Sequence, residues 1–273
     1  MRLLVIGASG HLGGEVARLA PAAGFEVVGT HARPSRPHEL HDWSRLDVRD
    51  PFAVHTLVQL VRPAAVINAC YDRGSWSAMA TGAAHVATAS AAVGARLVHI
   101  SSDALHAGRP EAYTEDDDPT PINAYGAAKA AAETAVAAID PSAAMVRTSL
   151  IVGDESSHQT RFILDLVNRR AEGRLFTDEI RCPIDGSDLA AAVVELVGND
   201  YAGVLNVAGP EAVTRAELGR LIAVRHGHSR RSVPVGKAAR SGMVRNLDVK
   251  LDSSRAAGLL KTRLRPISEV LSR

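Results

Sequence analysis

The feature that most constrains this chain is the run Gly7-Ala8-Ser9-Gly10-His11-Leu12-Gly13, which follows directly on the apolar stretch Met1 to Ile6, MRLLVI. A short apolar run ending at glycine reads as a buried strand, and the spacing of Val16, Leu19 and Ala20 behind it reads as a helix ending near Gly24. A side chain at either of the first two glycines blocks the sharp turn or the approach of a pyrophosphate to the helix N-terminus. One at the third pushes the helix off the sheet. The run therefore predicts a dinucleotide site in which Gly7, Ser9, Gly10, His11, Leu12 and Gly13 form the phosphate cradle.

Further strands are expected at Phe25 to Gly29, Ala65 to Ala69, Arg96 to Ile100 and from Ala144, with helices over Ser77 to Val93 and Tyr125 to Ile139. Strand and helix units repeated in this way demand a parallel sheet covered on both faces and connected by right-handed crossovers. The expected fold class is α/β, a Rossmann-type doubly wound parallel sheet over residues 1–153 with a smaller C-terminal substrate lobe over 154–273. In the lobe, Phe162 to Arg170, Asp188 to Val197 and Arg215 to Val224 read as helices and Val204 to Val207 as a strand. Arg225 to Val244 reads as loop, and segments near 180–200 and 230–250 are expected to return to the first domain.

Charge and cysteine usage remove several function classes. The balance of 31 Lys and Arg against 30 Asp and Glu leaves a formal net charge of +1, with no basic field for a nucleic acid. Cys70 and Cys182 form no CxxC pair, which excludes a disulfide framework or zinc knuckle and suits a reducing cytoplasm. No apolar run approaches the ~20 residues that span a bilayer, so neither a membrane partner nor secretion is expected. His31, His38 and His41 lie beside Asp42 in a Pro, Ser and Arg loop, and His226 and His228 in another, so no metal site is expected. The run Glu115-Asp116-Asp117-Asp118 before Pro119 reads as a solvated loop.

The second strand ends in Gly29-Thr30-His31-Ala32-Arg33, without the acid that holds the ribose hydroxyls of NAD. Arg33, helped by Thr30 or Arg36, is the expected partner of a 2′-phosphate, which favours NADPH and leaves NADH as the alternative. Asp47 and Val48 fall where a third strand ends, in reach of the adenine, while Ala69, Cys70 and Tyr71 flank the nicotinamide side. Tyr125 and Lys129 stand four apart at a helix start and share a face. A phenol, ordinarily ionising near pH ~10, serves acid–base chemistry when a cation favours its anion, and Lys129 supplies one. Ser102, beyond the Arg96 to Ile100 strand, can donate to a carbonyl oxygen that Tyr125 protonates, which fits hydride transfer. Arg161 and Arg181 are candidates to meet a diphosphate from the lobe side, and Phe162 either packs the lobe or stacks on a nucleobase.

The motifs GASGHLG (7–13), LDV (46–48), NACY (68–71), GARLVHISSD (94–103), YGAAK (125–129), RTSLIVG (147–153), PIDGSDLA (183–190), LNVAGPE (205–211) and LDSSRAAGLL (251–260) together carry a resemblance. Over nearly its whole length the chain resembles the extended short-chain dehydrogenase/reductases, and within them the dTDP-4-dehydrorhamnose reductases and related nucleotide-sugar 4-ketoreductases. The resemblance implies that Ser102, Tyr125 and Lys129 are the catalytic serine, tyrosine and lysine, with Ser101 on the cofactor side. It implies a nucleotide-sugar substrate beside Asp103 and Ser149, a lobe that closes over it, and a homodimer. The implied reaction is NADPH-dependent reduction of the 4-keto group of a nucleotide-activated 6-deoxysugar.

Departures from the family pattern fall on the substrate side. Ala104 and Leu150 stand where relatives place aromatics beside the sugar, Val152 replaces a tyrosine, and Met79 replaces a structural asparagine. They keep open a different carbonyl substrate, or a regulatory subunit that binds NADP without turnover. Ala104 directly after Asp103 disfavours a dehydratase, which needs an added acid–base pair there.

Overall fold

The computed structural model describes residues 1–32 and 42–272. Strand β1 (Arg2–Ile6) lies inside a seven-stranded sheet, with β2 (Glu26–His31) and β3 (Asp42–Arg45) on one side. On the other side follow β4 (Ala65–Asn68), β5 (Arg96–Ile100), β6 (Ala144–Arg147) and the strand Gly203–Asn206. Every neighbouring pair is parallel. Strand order reverses between β1 and β4, and the crevice beyond the carboxyl ends of strands at such a reversal is where doubly wound sheets hold ligands.

Alternation along β1 builds two cores. Leu3 and Val5 pack beneath helix α1 (His11–Leu19) and the helix Gly186–Val197. Leu4 and Ile6 face α2 (Pro51–Val61), α3 (Gly82–Ala92) and α4 (Ala124–Ile139). Burial on both faces explains why these strands read as continuous apolar runs. Asp50 caps α2, accepting from the N–H groups of Phe52 and Ala53, and Pro51 suits the first turn because that position needs no donor.

Several boundaries differ from the sequence expectation. The Ser77 to Val93 stretch opens with a π-helical turn, Ser77–Thr81, in which buried Met79 accepts the Asp72 N–H on its Sδ. The first lobe helix runs His158–Val167, earlier than expected, and Phe162 packs against a third core with Leu164, Leu175, Leu218 and Ile222. Arg225 to Val244 is largely irregular but holds two 3-10 turns and the strand Val235–Gly236, which pairs with Leu175–Phe176. Ile180–Arg181 pairs with Val213–Thr214, and Ile184–Asp185 with Ile151–Val152. Among the described residues, no helix is long and apolar enough to cross a membrane.

Candidate active site

The glycine turn is tightly enclosed. Gly7 has φ +83°, and a Cβ on it would lie 2.8 Å from the Ala69 carbonyl oxygen. A Cβ on Gly13 would lie 2.2 Å from the Gly7 oxygen, so this residue lets α1 close onto the turn. The Gly10 N–H donates to the Gly7 carbonyl at 2.9 Å. Beneath the turn, buried Thr30 accepts the Gly7 N–H on its hydroxyl at 3.0 Å and the Ser9 N–H on its carbonyl at 3.4 Å. Thr30 thus holds the cradle together from below. Leu12 turns its side chain into the first core. Arg33, Arg36, His38 and His41 lie outside the described residues, and His31 is buried edge-on to Trp43.

The imidazole of His11 fills a slot bounded by Gly153 and Gly186, where an added Cβ would come within 2.5 and 2.7 Å of its Nε2. Its Nδ1 lies 2.9 Å from Ser156 Oγ, which ties the cradle to the loop entering the lobe.

Around the rest of the crevice, Asp47 is exposed and paired with Arg49 at 2.6 Å; that hydrogen-bonded guanidinium holds its carboxyl down at about 2. Val48 is buried, and its carbonyl lies 2.9 Å from His85 Nδ1. Ala69 donates its N–H to Ile6 at 2.9 Å and Cys70 donates to Asn68 Oδ1 at 3.2 Å, which fixes the segment beside Gly7. Burial pushes the Cys70 thiol up. Tyr71 is 61% exposed and meets the Tyr125 ring edge-to-face, with centroids 5.9 Å apart.

Tyr125 sits in the first turn of α4, which Asn123 caps by accepting the Gly126 N–H. A Cβ on Gly126 would lie 2.2 Å from the Ala104 oxygen, so this glycine lets the helix start lie against the segment beyond β5. Ser102 lies in that segment, near enough to Tyr125 to favour its phenolate. Burial pushes the phenol above its ordinary value against the pull of Ser102, and Arg73 stands 5.7 Å from the ring centroid. Lys129 is buried and donates to the Ile100 carbonyl at 2.7 Å. Burial brings its ammonium down to about 8, against the pull of Cys70 and Glu133. The expected lowering of the phenol by Lys129 is therefore absent in this geometry: desolvation dominates Tyr125, and the ammonium is engaged by the Ile100 oxygen.

Two buried networks surround these groups. In the first, Glu133 and Arg147 pair at 2.9 Å with side chains 6% and 3% exposed, and Arg147 also donates to the Asp117 carbonyl at 3.0 Å. Ser101 donates its hydroxyl to Glu133, so that hydroxyl faces the ion pair. In the second, Asp103 Oδ2 accepts from Ser149 Oγ at 2.6 Å and lies 3.6 Å from Arg181 Nε, while Oδ1 lies 3.5 Å from Ser102 Oγ. Arg181 reaches Glu179 at 3.4 Å, and Glu179 pairs with Arg245 at 2.7 Å. Asp103, Ser149 and Arg181 are thus brought together. Arg161 is not, because its guanidinium donates to the carbonyls of Glu155 and Ser156 at 3.1 and 3.3 Å.

Sequence reasoning missed Glu133, Glu179, Arg245 and Asn246. Glu133 was detectable as the residue one turn beyond Lys129 on the same helical face, and Glu179 as a same-face neighbour of Arg181 at extended spacing. Asn246, which accepts from Asn123 at 3.0 Å and donates to the His106 carbonyl, gives no local signal.

The chain belongs to the RmlD substrate binding domain family, which matches residues 1–272. It is similar to the spore coat polysaccharide biosynthesis protein SpsK of Bacillus subtilis, 30% identical across 71% of this chain and 69% of that protein. It is also similar to the methionine adenosyltransferase 2 subunit beta of Rattus norvegicus, 27% identical across 81% of this chain and 71% of that one. Among solved structures, the dTDP-4-dehydrorhamnose reductase of Bacillus anthracis in complex with NADP is 26% identical, with a TM-score of 0.84 over 100% of this chain and 97% of that chain.

Proposed function

We propose that this protein reduces the 4-keto group of a nucleotide-activated 6-deoxysugar, using NADPH as reductant and Tyr125 as proton donor. The observation that carries the reading is the gathering of Ser102, beyond β5, with Tyr125 and buried Lys129, one turn apart on α4, in a fold whose glycine cradle lies at the β1/β4 reversal. The cradle fits a dinucleotide, since a Cβ at Gly7 or Gly13 would collide with backbone oxygen. Gly7, Ser9, Gly10, His11, Leu12 and Gly13 would hold the pyrophosphate at the N-terminus of α1, with Ala69 and Cys70 flanking the nicotinamide and Lys129 holding its ribose. When bound, the reduced nicotinamide supplies the hydride. NADPH over NADH is supported by the missing acid at the end of β2, by Arg33 beyond it, and by the NADP held by the Bacillus anthracis relative.

Burial keeps the Tyr125 phenol protonated throughout the neutral range, so it meets the substrate carbonyl as an acid. It releases its proton as negative charge develops on the carbonyl oxygen, and Ser102 donates a hydrogen bond to the same oxygen. Lys129, with its ammonium brought down to about 8, still carries its charge at neutral pH, where it would hold the nicotinamide ribose one turn from the phenol.

A second reading is a cofactor-binding regulatory subunit, which the similarity to a methionine adenosyltransferase subunit favours. NADPH and NADH oxidation with enzymatically generated dTDP-4-keto-6-deoxyglucose separates the two. The reductase reading predicts turnover that falls about 10²- to 10⁴-fold in Tyr125→Phe while NADPH binding persists. Tight NADPH binding without turnover by the unaltered protein overturns this substrate assignment and points to another carbonyl substrate or to the regulatory reading.

A further inference from the structure

Resting on the reductase reading, we propose that the basic stretch of the lobe over residues 218–247 is an electrostatic guide that draws the anionic nucleotide-sugar into the catalytic crevice. The net charge of +1 hides an uneven distribution. Residues 218–247 hold seven Lys and Arg and no Asp or Glu, so the rest of the chain carries 24 basic against 30 acidic side chains. The acids that this stretch touches are Glu155, Asp178, Glu179 and Glu217, which leaves it three cations in excess. Arg225, Arg231, Lys237 and Arg240 are exposed, and among the described residues no carboxylate forms an ion pair with them.

Backbone pairing leads this stretch to the reacting groups. Val235–Gly236 runs parallel to Leu175–Phe176, and Ala238 and Ala239 then donate their N–H groups to Asp178 at 2.7 and 3.3 Å. Arg245 stands over the Phe176 ring, 5.6 Å from its centroid, and pairs with Glu179 at 2.7 Å. Asn246 donates to the carbonyls of Ala104, at 3.5 Å, and His106, on the segment that follows Ser102 directly. The cations therefore run from the end of the helix Arg215–Arg225 to the edge of the segment that carries Ser102 and Asp103.

Spacing and exposure suit this stretch to steering. At physiological ionic strength a field decays over about 8 Å. Lys237, Arg240 and Arg245 are three and five residues apart, at most about 11 and 18 Å of chain. An anion passing along them stays within about one decay length of a cation. The diphosphate of the nucleotide-sugar supplies the charge to be drawn, and side chains that sit in water release it readily. A field of this kind raises association rates by roughly 10- to 10³-fold and acts on the on-rate more than on the affinity of the finished complex.

The test is stopped-flow association of a fluorescently labelled dTDP with the NADPH-loaded protein. A guide variant, Arg231→Gln, Lys237→Gln and Arg240→Gln together, is compared with a control that loses the same charge at exposed sites elsewhere, Arg2→Gln, Arg18→Gln and Arg62→Gln. At about 0.1 M ionic strength, where the decay length is about 10 Å, the guide variant is expected to bind roughly threefold or more slowly, with the control close to the unaltered rate. Dissociation rates stay the same in all three proteins, because the guide does not hold the bound nucleotide. At about 1 M, where the decay length is about 3 Å, the three association rates converge. The unaltered protein, which needs no substitution to fold, is expected to lose about tenfold in on-rate between about 0.01 and 1 M. Equal slowing by the guide and control variants reduces the effect to net charge and overturns the proposal. So does a guide variant that changes only the dissociation rate, or an on-rate of the unaltered protein that salt leaves alone. Failure of the unaltered protein to bind the labelled dTDP at any ionic strength sinks the nucleotide-sugar reading and the guide with it, a result distinct from normal binding beside an unaffected guide variant.

Discussion

Glu133→Ala isolates the contact that joins the helix carrying Tyr125 and Lys129 to the strand ends carrying Ser102 and Ser149. Glu133 meets Arg147 through Nε at 3.1 and 3.2 Å and through Nη2 at 2.9 Å, and the guanidinium is 3% exposed. Truncating the acid leaves a buried cation with the Asp117 carbonyl as its remaining hydrogen-bond partner, a change that costs about 3–5 kcal/mol. With an unfolding entropy of about 2.1 cal/mol/K per residue over 273 residues, or about 0.57 kcal/mol/K, the melting temperature falls by roughly 5–9 °C. Scanning calorimetry measures this directly, and kcat is expected to fall with it because α4 loses its hold on the strand ends. Replacing both partners, Glu133→Met with Arg147→Met, removes the unpaired charge and restores stability to near the unaltered value. A single variant within about 1 kcal/mol of the parent, or a double variant weaker than the single, refutes the reasoning.

The lowered Lys129 ammonium gives a pH signature with opposite signs for activity and stability. Its charge is present below about 8 and lost above it, so kcat/KM falls as pH rises through 8. Between 8 and the ordinary 10.5 the unfolded chain binds the extra proton, so this residue's contribution to stability increases with pH across that window, by roughly 3 kcal/mol at most. Melting temperatures and pH–rate profiles from the same buffers check both slopes, and parallel slopes contradict the assignment. Gly13→Ala places a methyl 2.2 Å from the Gly7 oxygen, so it should cost about 1–3 kcal/mol of stability and sharply weaken NADPH binding by fluorescence titration; unchanged affinity counts against the cradle.

The parts of the fold visible in the sequence are those that local pattern controls. Leu3 to Ile6 alternate between two cores, which makes an uninterrupted apolar run, and the glycines at 7, 10 and 13 mark a turn whose crowding is visible at the backbone level. Tyr125 and Lys129 were legible because helical spacing puts them on one face. The direction of the Tyr125 shift was not, since it depends on how much protein closes over the ring. Thr30 drew attention for its place at a strand end, but its work under Gly7 is a tertiary contact across 23 residues. The Asp103 network joins partners from distant segments, with Ser149 46 residues away and Arg245 reaching Glu179 across 66, distances over which sequence spacing carries no geometric information. Arg161 misled because an arginine near a cleft and one tied to adjacent carbonyls have the same local sequence signature.

The most direct test of the account follows the hydride itself. NADPH carrying deuterium at nicotinamide C4 is incubated with dTDP-4-keto-6-deoxyglucose, and the sugar product is examined by mass spectrometry and NMR. The account predicts one deuterium at sugar C4 with the unaltered protein, formed far more slowly by Tyr125→Phe. A sugar product without deuterium at C4, or equal transfer by the two proteins, contradicts it.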